Sequence, residues 1–101
     1  MAEVLIHSAA EAEYEAALEW YFKRSEMAAD NFEAAFERAL EAIQSNPQFY
    51  PLCDDRHRFC LLRRYPYLVI YRVDKDEIRM VAVAHSRRLP GYWSDRRFPD
   101  E

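Results

Sequence analysis

Glycine is nearly missing from this sequence, with Gly91 the only one in 101 residues. That excludes a glycine-rich loop whose backbone amides would cradle a phosphate. Ser8, Ser25, Ser45, Ser86 and Ser94 stand in no nucleophile-elbow context. Cysteine is scarce too. Cys53 and Cys60 could pair, but "MAEVLIHSAAEAE" is acidic and lacks the basic-then-apolar order of a signal peptide, so free buried thiols are expected. Together with His57, Asp54 and Asp55 they invite a metal reading, yet no paired close spacing of the C-x2-C kind occurs. Neither a metal nor a cofactor is expected. No run approaches the roughly 18 consecutive apolar residues of a membrane span. These absences predict a cytoplasmic protein without membrane contact, forming one domain over residues 1–101.

Half of the residues are hydrophobic and 15% aromatic, enough for one core without disulfide or metal. The net charge of −4 conceals an asymmetry. Residues 1–55 carry 3 Lys+Arg against 12 Asp+Glu, whereas residues 56–101 carry 11 against 6. Lys75 is the only lysine in the second half, and its other basic residues are arginines. Arginine's planar fork suits bidentate contact with phosphate or carboxylate, so the second half is where an anionic partner is sought. The bland alternative is that the two halves neutralise each other within the fold.

The patterning gives the order strand, helix, helix, three strands and a polar tail. "EVLIH" (3–7) reads as a short strand. Ser8 with Glu11 predicts a capping box at the next helix start. Tyr14, Ala17, Leu18 and Tyr21 form one apolar helical face, and Glu11, Glu15 and Glu19 a solvated row on another. This helix is expected to reach about Arg24, with Ser25 capping the next. There Phe32, Ala35, Phe36, Ala39, Leu40 and Ile43 keep the 3.6 period until Asn46–Pro47 stops it. The short connection predicts an antiparallel helical hairpin. Strand-like runs follow at 56–64, 67–73 and 77–85, the last two separated by Asp74, Lys75 and Asp76. In the last run Ile78, Met80, Ala82 and Ala84 are expected on one face, and Arg79, Val81, Val83 and His85 on the other. The fold class is α+β: an N-terminal strand and an antiparallel helical hairpin packed on a mostly antiparallel sheet with three C-terminal strands.

Two stretches carry a resemblance. "RRYPYLVIYRV" around the middle strand and "VAVAHSRRLPGYW" at the exit of the last one, in this order and chain length, resemble the RelE/ParE family of toxins from type II toxin–antitoxin systems. The resemblance implies a growth-inhibiting toxin whose partner is a cognate antitoxin that wraps it. RelE-like members cleave mRNA on the ribosome, while ParE-like members poison DNA gyrase without a recognised nuclease site. The expected function is ParE-like. The alternatives are a ribosome-dependent, metal-independent mRNA endoribonuclease, or a degenerate binding module without toxicity.

If the chain is a nuclease, His85 is the acid/base candidate, because its unperturbed pKa lies near neutrality. Arg64, Arg72, Arg87 and Arg88 would stabilise the developing phosphorane charge, and Tyr92 would stack on a base or donate a proton. Arg87, Arg88, Trp93, Arg96 and Arg97 are the candidates for contact with target or antitoxin. Each has a plainer reading: a structural histidine at a strand end, Arg72 paired with a helix glutamate, Trp20 and Trp93 as packing anchors. "WYF" at 20–22 is broad for one buried face, so part of it is expected to be exposed for a partner or for a second copy in a homodimer. The strands lack lysine and the protein is acidic, which weakens long-range attraction to a ribosome.

Overall fold

The structure, a computed structural model, describes residues 2–101. Its elements run β1 (Glu3–Ile6), α1 (Ser8–Phe22), α2 (Glu26–Ser45), β2 (Arg58–Leu61), β3 (Tyr67–Asp74) and β4 (Glu77–His85). The sheet order is β1-β4-β3-β2, with β1 parallel to β4 and the other pairs antiparallel. The helical hairpin covers one face of this mixed sheet, and residues 92–98 return across the other.

The start of α1 corrects the sequence reading. His7, not Ser8, is the N-cap, and its Nδ1 accepts the Ala9 N–H at 3.0 Å. An imidazole nitrogen thus replaces the expected hydroxyl, and Ser8 is already helical. Ser25 caps α2 as expected, accepting the Ala28 N–H at 2.9 Å. Asn46 ends α2 before Pro47. From α2, Phe32, Phe36 and Ile43 are buried with Ala10 and Ala17 of α1 against Val69, Tyr71, Ile78, Met80 and Val83 of the sheet. Phe32 is fully buried among Tyr14, Tyr21, Tyr65 and Tyr67, with ring centroids 4.8–5.9 Å away.

β4 departs from simple alternation. The ladder pairs Ile70 with Ala82 but Tyr71 with Met80, so Val81 is an extra residue in a β-bulge. One inserted residue swaps every later side chain to the opposite face. Ile78 and Met80 therefore face the helices together with Val83, while Ala82 and Ala84 join Val81 beneath Trp93 and Phe98. The expected grouping of Ile78, Met80, Ala82 and Ala84 holds only up to the bulge. The β3–β4 turn is also tighter than expected, because Asp74 still pairs with Glu77 and only Lys75 and Asp76 are looped out. Lys75 takes φ 58° there.

β2 is shorter than the predicted run, since the chain before Arg58 is spent on a local turn. Asp54 Oδ1 accepts the Arg56 and His57 N–H groups at 2.9 and 2.6 Å, and the His57 ring packs 4.7 Å from Trp93. Both cysteines are free, but only Cys60 is buried while Cys53 is exposed. Trp20 and Phe22 are exposed, as the breadth of "WYF" suggested.

Candidate functional site

The exit of β4 delivers His85 to the helix side of the sheet. It pairs with Tyr67, whose ring lies edge-on at 5.1 Å. His85 Nδ1 accepts the Arg87 N–H at 3.1 Å, and the His85 carbonyl accepts the Arg88 N–H at 3.0 Å. With Nδ1 used as an acceptor, the neutral ring carries its proton on Nε2. Ser86 donates to the Pro66 carbonyl at 2.8 Å, which holds the exit turn against the start of β3.

Residues 91–98 then fold back. Gly91 has φ +83°, the left-handed conformation that its missing side chain permits. Trp93 is buried. Tyr92 and Arg96 converge on Glu13 of α1, a residue the sequence reading did not single out. Arg96 binds its carboxylate through two nitrogens at 2.8 and 3.0 Å, Tyr92 donates its hydroxyl at 2.5 Å, and Arg88 lies 3.7 Å away while stacking on the Tyr92 ring. Glu13 also accepts the Val83 N–H at 3.0 Å, and Arg96 donates to the Val81 carbonyl at 3.1 Å. β1 ends opposite Met80, so beyond it these side chains occupy β4 backbone groups that no β1 residue reaches. Burial pushes the Glu13 carboxyl up, but the Arg96, Tyr92 and Val83 donors outweigh it and hold it below its usual range. The Tyr92 phenol is pushed up to about 12 by burial and by Glu13.

Arg72 lies elsewhere. It pairs with Arg79 across the β3–β4 ladder, on the face away from the helices, and is buried. Its carboxylate partner is Glu101, not a helix glutamate as the sequence reading offered. Arg79 holds the Asp100 carboxylate through two nitrogens at 2.7 and 2.6 Å and Glu77 at 3.0 Å. Phe98 covers both guanidiniums, its ring centroid 5.3 and 5.2 Å away. Arg79 therefore holds the Asp100 carboxyl below its ordinary range.

Arg64 is in a third place. It sits in the β2–β3 connection at φ 72°, lining an open groove of about 430 Å³ with Asn31, Ala34, Arg38, Arg63 and Tyr65. Arg97 is exposed and contributes its backbone carbonyl, which lies 2.8 Å from His7 Nε2. Of the candidates, the structure brings together Tyr92, Arg88 and Arg96 around Glu13. It keeps His85 and Arg72 apart, and no contact joins Arg64 to either among the described residues. His85 and Arg72 fall at opposite ends of β3, five residues or about 17 Å along the strand, and on opposite faces.

The family model described as the ParE toxin of the type II toxin–antitoxin system parDE matches residues 4–90. This chain belongs to that family. Among solved structures it is similar to a chain from the chromosomal ParDE system of P. aeruginosa, at 19% identity and a TM-score of 0.61, covering 84% of this chain and 96% of that one. At that identity the likeness concerns the fold, which is the same arrangement of two helices on a four-stranded sheet. No curated protein matches.

The family match stops at Pro90, so it takes in His85, Arg87 and Arg88 of this toxin but not residues 91–101. Tyr92 and Arg96, which bind Glu13, and Asp100 and Glu101, which neutralise the sheet arginines, all lie beyond it. The signal that could have found Glu13 is slender. It is the one α1 glutamate outside the Glu11, Glu15, Glu19 row, and therefore on a different helical face.

Proposed function

We propose that this toxin arrests growth when free of a cognate antitoxin, and that it does so as ParE-like toxins do, by poisoning DNA gyrase rather than by cutting mRNA. The dispersal of the candidate nuclease groups carries this reading. Phosphodiester cleavage needs a base, an acid and cations around one phosphate. Here His85 and Arg72 lie on opposite faces of the sheet, Arg72 is buried against Glu101, and the Tyr92 hydroxyl is committed to Glu13. Arg87 and Arg88 follow His85 directly, but Arg88 stacks on Tyr92 and faces Glu13. The acidic balance and the strands without lysine favour the same choice.

Induced expression without the antitoxin should arrest growth, and co-expression of the antitoxin should relieve it. Purified toxin should trap gyrase-cleaved DNA while mRNA in arrested cells stays intact by primer extension. His85→Ala should arrest growth as strongly as the native chain. Discrete codon-linked cuts in mRNA that vanish in His85→Ala would replace the gyrase reading with ribosome-dependent cleavage. Tight antitoxin binding without arrest would mark a binding module that has lost toxicity.

A further inference from the structure

Arg72 and Arg79 face each other directly across two neighbouring strands, each about 5% exposed. Like charges in a cross-strand pair repel, and burial removes the water that would screen them. Within the sheet, Arg79 has Glu77 at 3.0 Å and Asp74 at 3.8 Å, while the Arg72 partner comes from outside it. The remaining neutralisation comes from Phe98–Glu101. In this segment the Phe98 ring is buried over both guanidiniums, while Asp100 and Glu101 supply one carboxylate to each arginine. A tight turn joins them: Glu101 N–H donates to the Phe98 carbonyl, and Phe98 N–H to the Glu101 side chain, both at 2.9 Å.

Phe98–Glu101 therefore sits on the sheet as a ligand sits in a site, an aromatic anchor followed at once by paired acids. Its fit is incomplete. Arg72 Nε is buried without a hydrogen-bond partner among the described residues, and the Asp100 side chain is 63% exposed. The segment also hangs from anchors that precede it, namely Trp93 on His57 and Arg96 on Glu13. Those contacts remain if only residues 98–101 leave.

We propose that this face of the sheet is a binding site for an acidic peptide segment with an aromatic anchor, held by Arg72 and Arg79, which Phe98–Glu101 occupies in cis and a partner chain's segment of the same pattern takes by displacing it. The surroundings favour peptide over nucleic acid. Glu3, Asp74, Asp76 and Glu77 outnumber Lys75 and Arg79 in the groove lining, and this rim repels a polyphosphate more than a segment with two charges. The proposal is independent of what the toxin acts on.

The test uses the full chain and a fluorescein-labelled, C-terminally amidated peptide Arg-Arg-Phe-Pro-Asp-Glu, followed by anisotropy. A tethered segment competes at an effective concentration of order millimolar. D100N/E101Q should therefore bind the peptide at least about tenfold more tightly than the native chain. Adding Arg79→Met should abolish that gain, as should a peptide ending in Asn-Gln. Equal binding by the native chain and D100N/E101Q, binding indifferent to Arg79→Met, or a preference for single-stranded oligonucleotide over peptide would each overturn the proposal. Should D100N/E101Q fail to fold, hydrogen exchange on the native chain decides. Millimolar peptide should speed exchange at the Phe98 and Glu101 amides while leaving the β3–β4 ladder unchanged, and no acceleration there rejects the site.

Discussion

The two faces of the sheet are built by different means. On the helix face, Phe32, Phe36, Ile43, Ala10 and Ala17 pack on alternating strand residues, and the attraction is apolar contact and aromatic stacking. The opposite face has a small apolar patch under Trp93 and Phe98, flanked by charged groups that meet from far apart in the chain. At the β4 edge beside it Glu13 of α1 meets Arg96 across 83 residues, and on the face itself Arg79 meets Asp100 across 21. Hydrophobic packing is non-directional and tolerates small shifts, whereas a buried ion pair with one partner removed leaves an uncompensated charge. One face should thus respond to lost volume, and the other to lost charge and to acid.

The largest effect is expected on the helix face. Phe32→Ala removes a fully buried ring from a cluster of four tyrosines and should cost about 3–5 kcal/mol in urea-induced unfolding. That loss should be almost independent of pH between 6 and 8. A loss below about 1 kcal/mol would mean that the cluster collapses around the gap, contrary to a close-packed face.

Glu13→Gln probes the other face. It keeps the volume but removes the charge that holds Arg96, Tyr92 and the Val83 N–H. The expected cost is about 2–3 kcal/mol, reduced from that of a fully buried pair because Glu13 and Arg96 keep some solvent contact. Near-ultraviolet circular dichroism of Tyr92 and Trp93 should weaken with it, while helix content stays.

A pH profile separates the two faces further. Glu13, Asp54, Asp100 and Glu101 are all held below their ordinary values in the fold. A carboxylate with a depressed folded pKa contributes stability that is complete above its unfolded value. That stability is lost as pH falls through the folded value, so unfolding should ease progressively below about pH 4.5. Three of these four carboxylates belong to the tail face, and Glu13→Gln should flatten part of the acid limb. At the alkaline end Tyr14, Tyr71 and Tyr92 are each raised to about 12 from 10.0. Their contribution is complete below pH 10 and disappears between about 10 and 12. Thermal melts at intervals of one pH unit would show both limbs, and a flat acid limb in the native chain would remove the charged-face account.

The same division decides how much the sequence disclosed. Apolar periodicity is a local signal, so α2, its Ser25 cap and its stop at Asn46–Pro47 were all readable, as was the order of elements. The bulge at Val81 was not, because nothing local marks an extra residue in an apolar run such as "MVAVA". His7 as a cap escaped for a related reason: histidine is not among the usual capping residues, and Ser8 beside it is. Glu13 and the Asp100–Glu101 pair were invisible as site residues because their partners come together only after the sheet forms. Family resemblance did not help, since the motifs that carry it stop at Trp93 and the family match at Pro90. The tail face is where the candidate chemistry was least legible, and it is also where most of the paired charge lies.

The smallest predicted effect tests whether the two faces act independently. Ser25→Ala removes the hydroxyl that accepts the Ala28 N–H at the start of α2 and should cost about 1 kcal/mol. Ser25 and Glu13 lie roughly 15 Å apart by helix rise alone, from position 13 to the end of α1 and beyond. They share no partner among the described hydrogen bonds. In the double variant Ser25→Ala/Glu13→Gln the two losses should therefore add to within about 0.5 kcal/mol. A larger coupling would show that the cap of α2 and the Glu13 cluster on α1 communicate through the hairpin. Additivity would leave the charged face free to exchange its tail while the helix face stays packed.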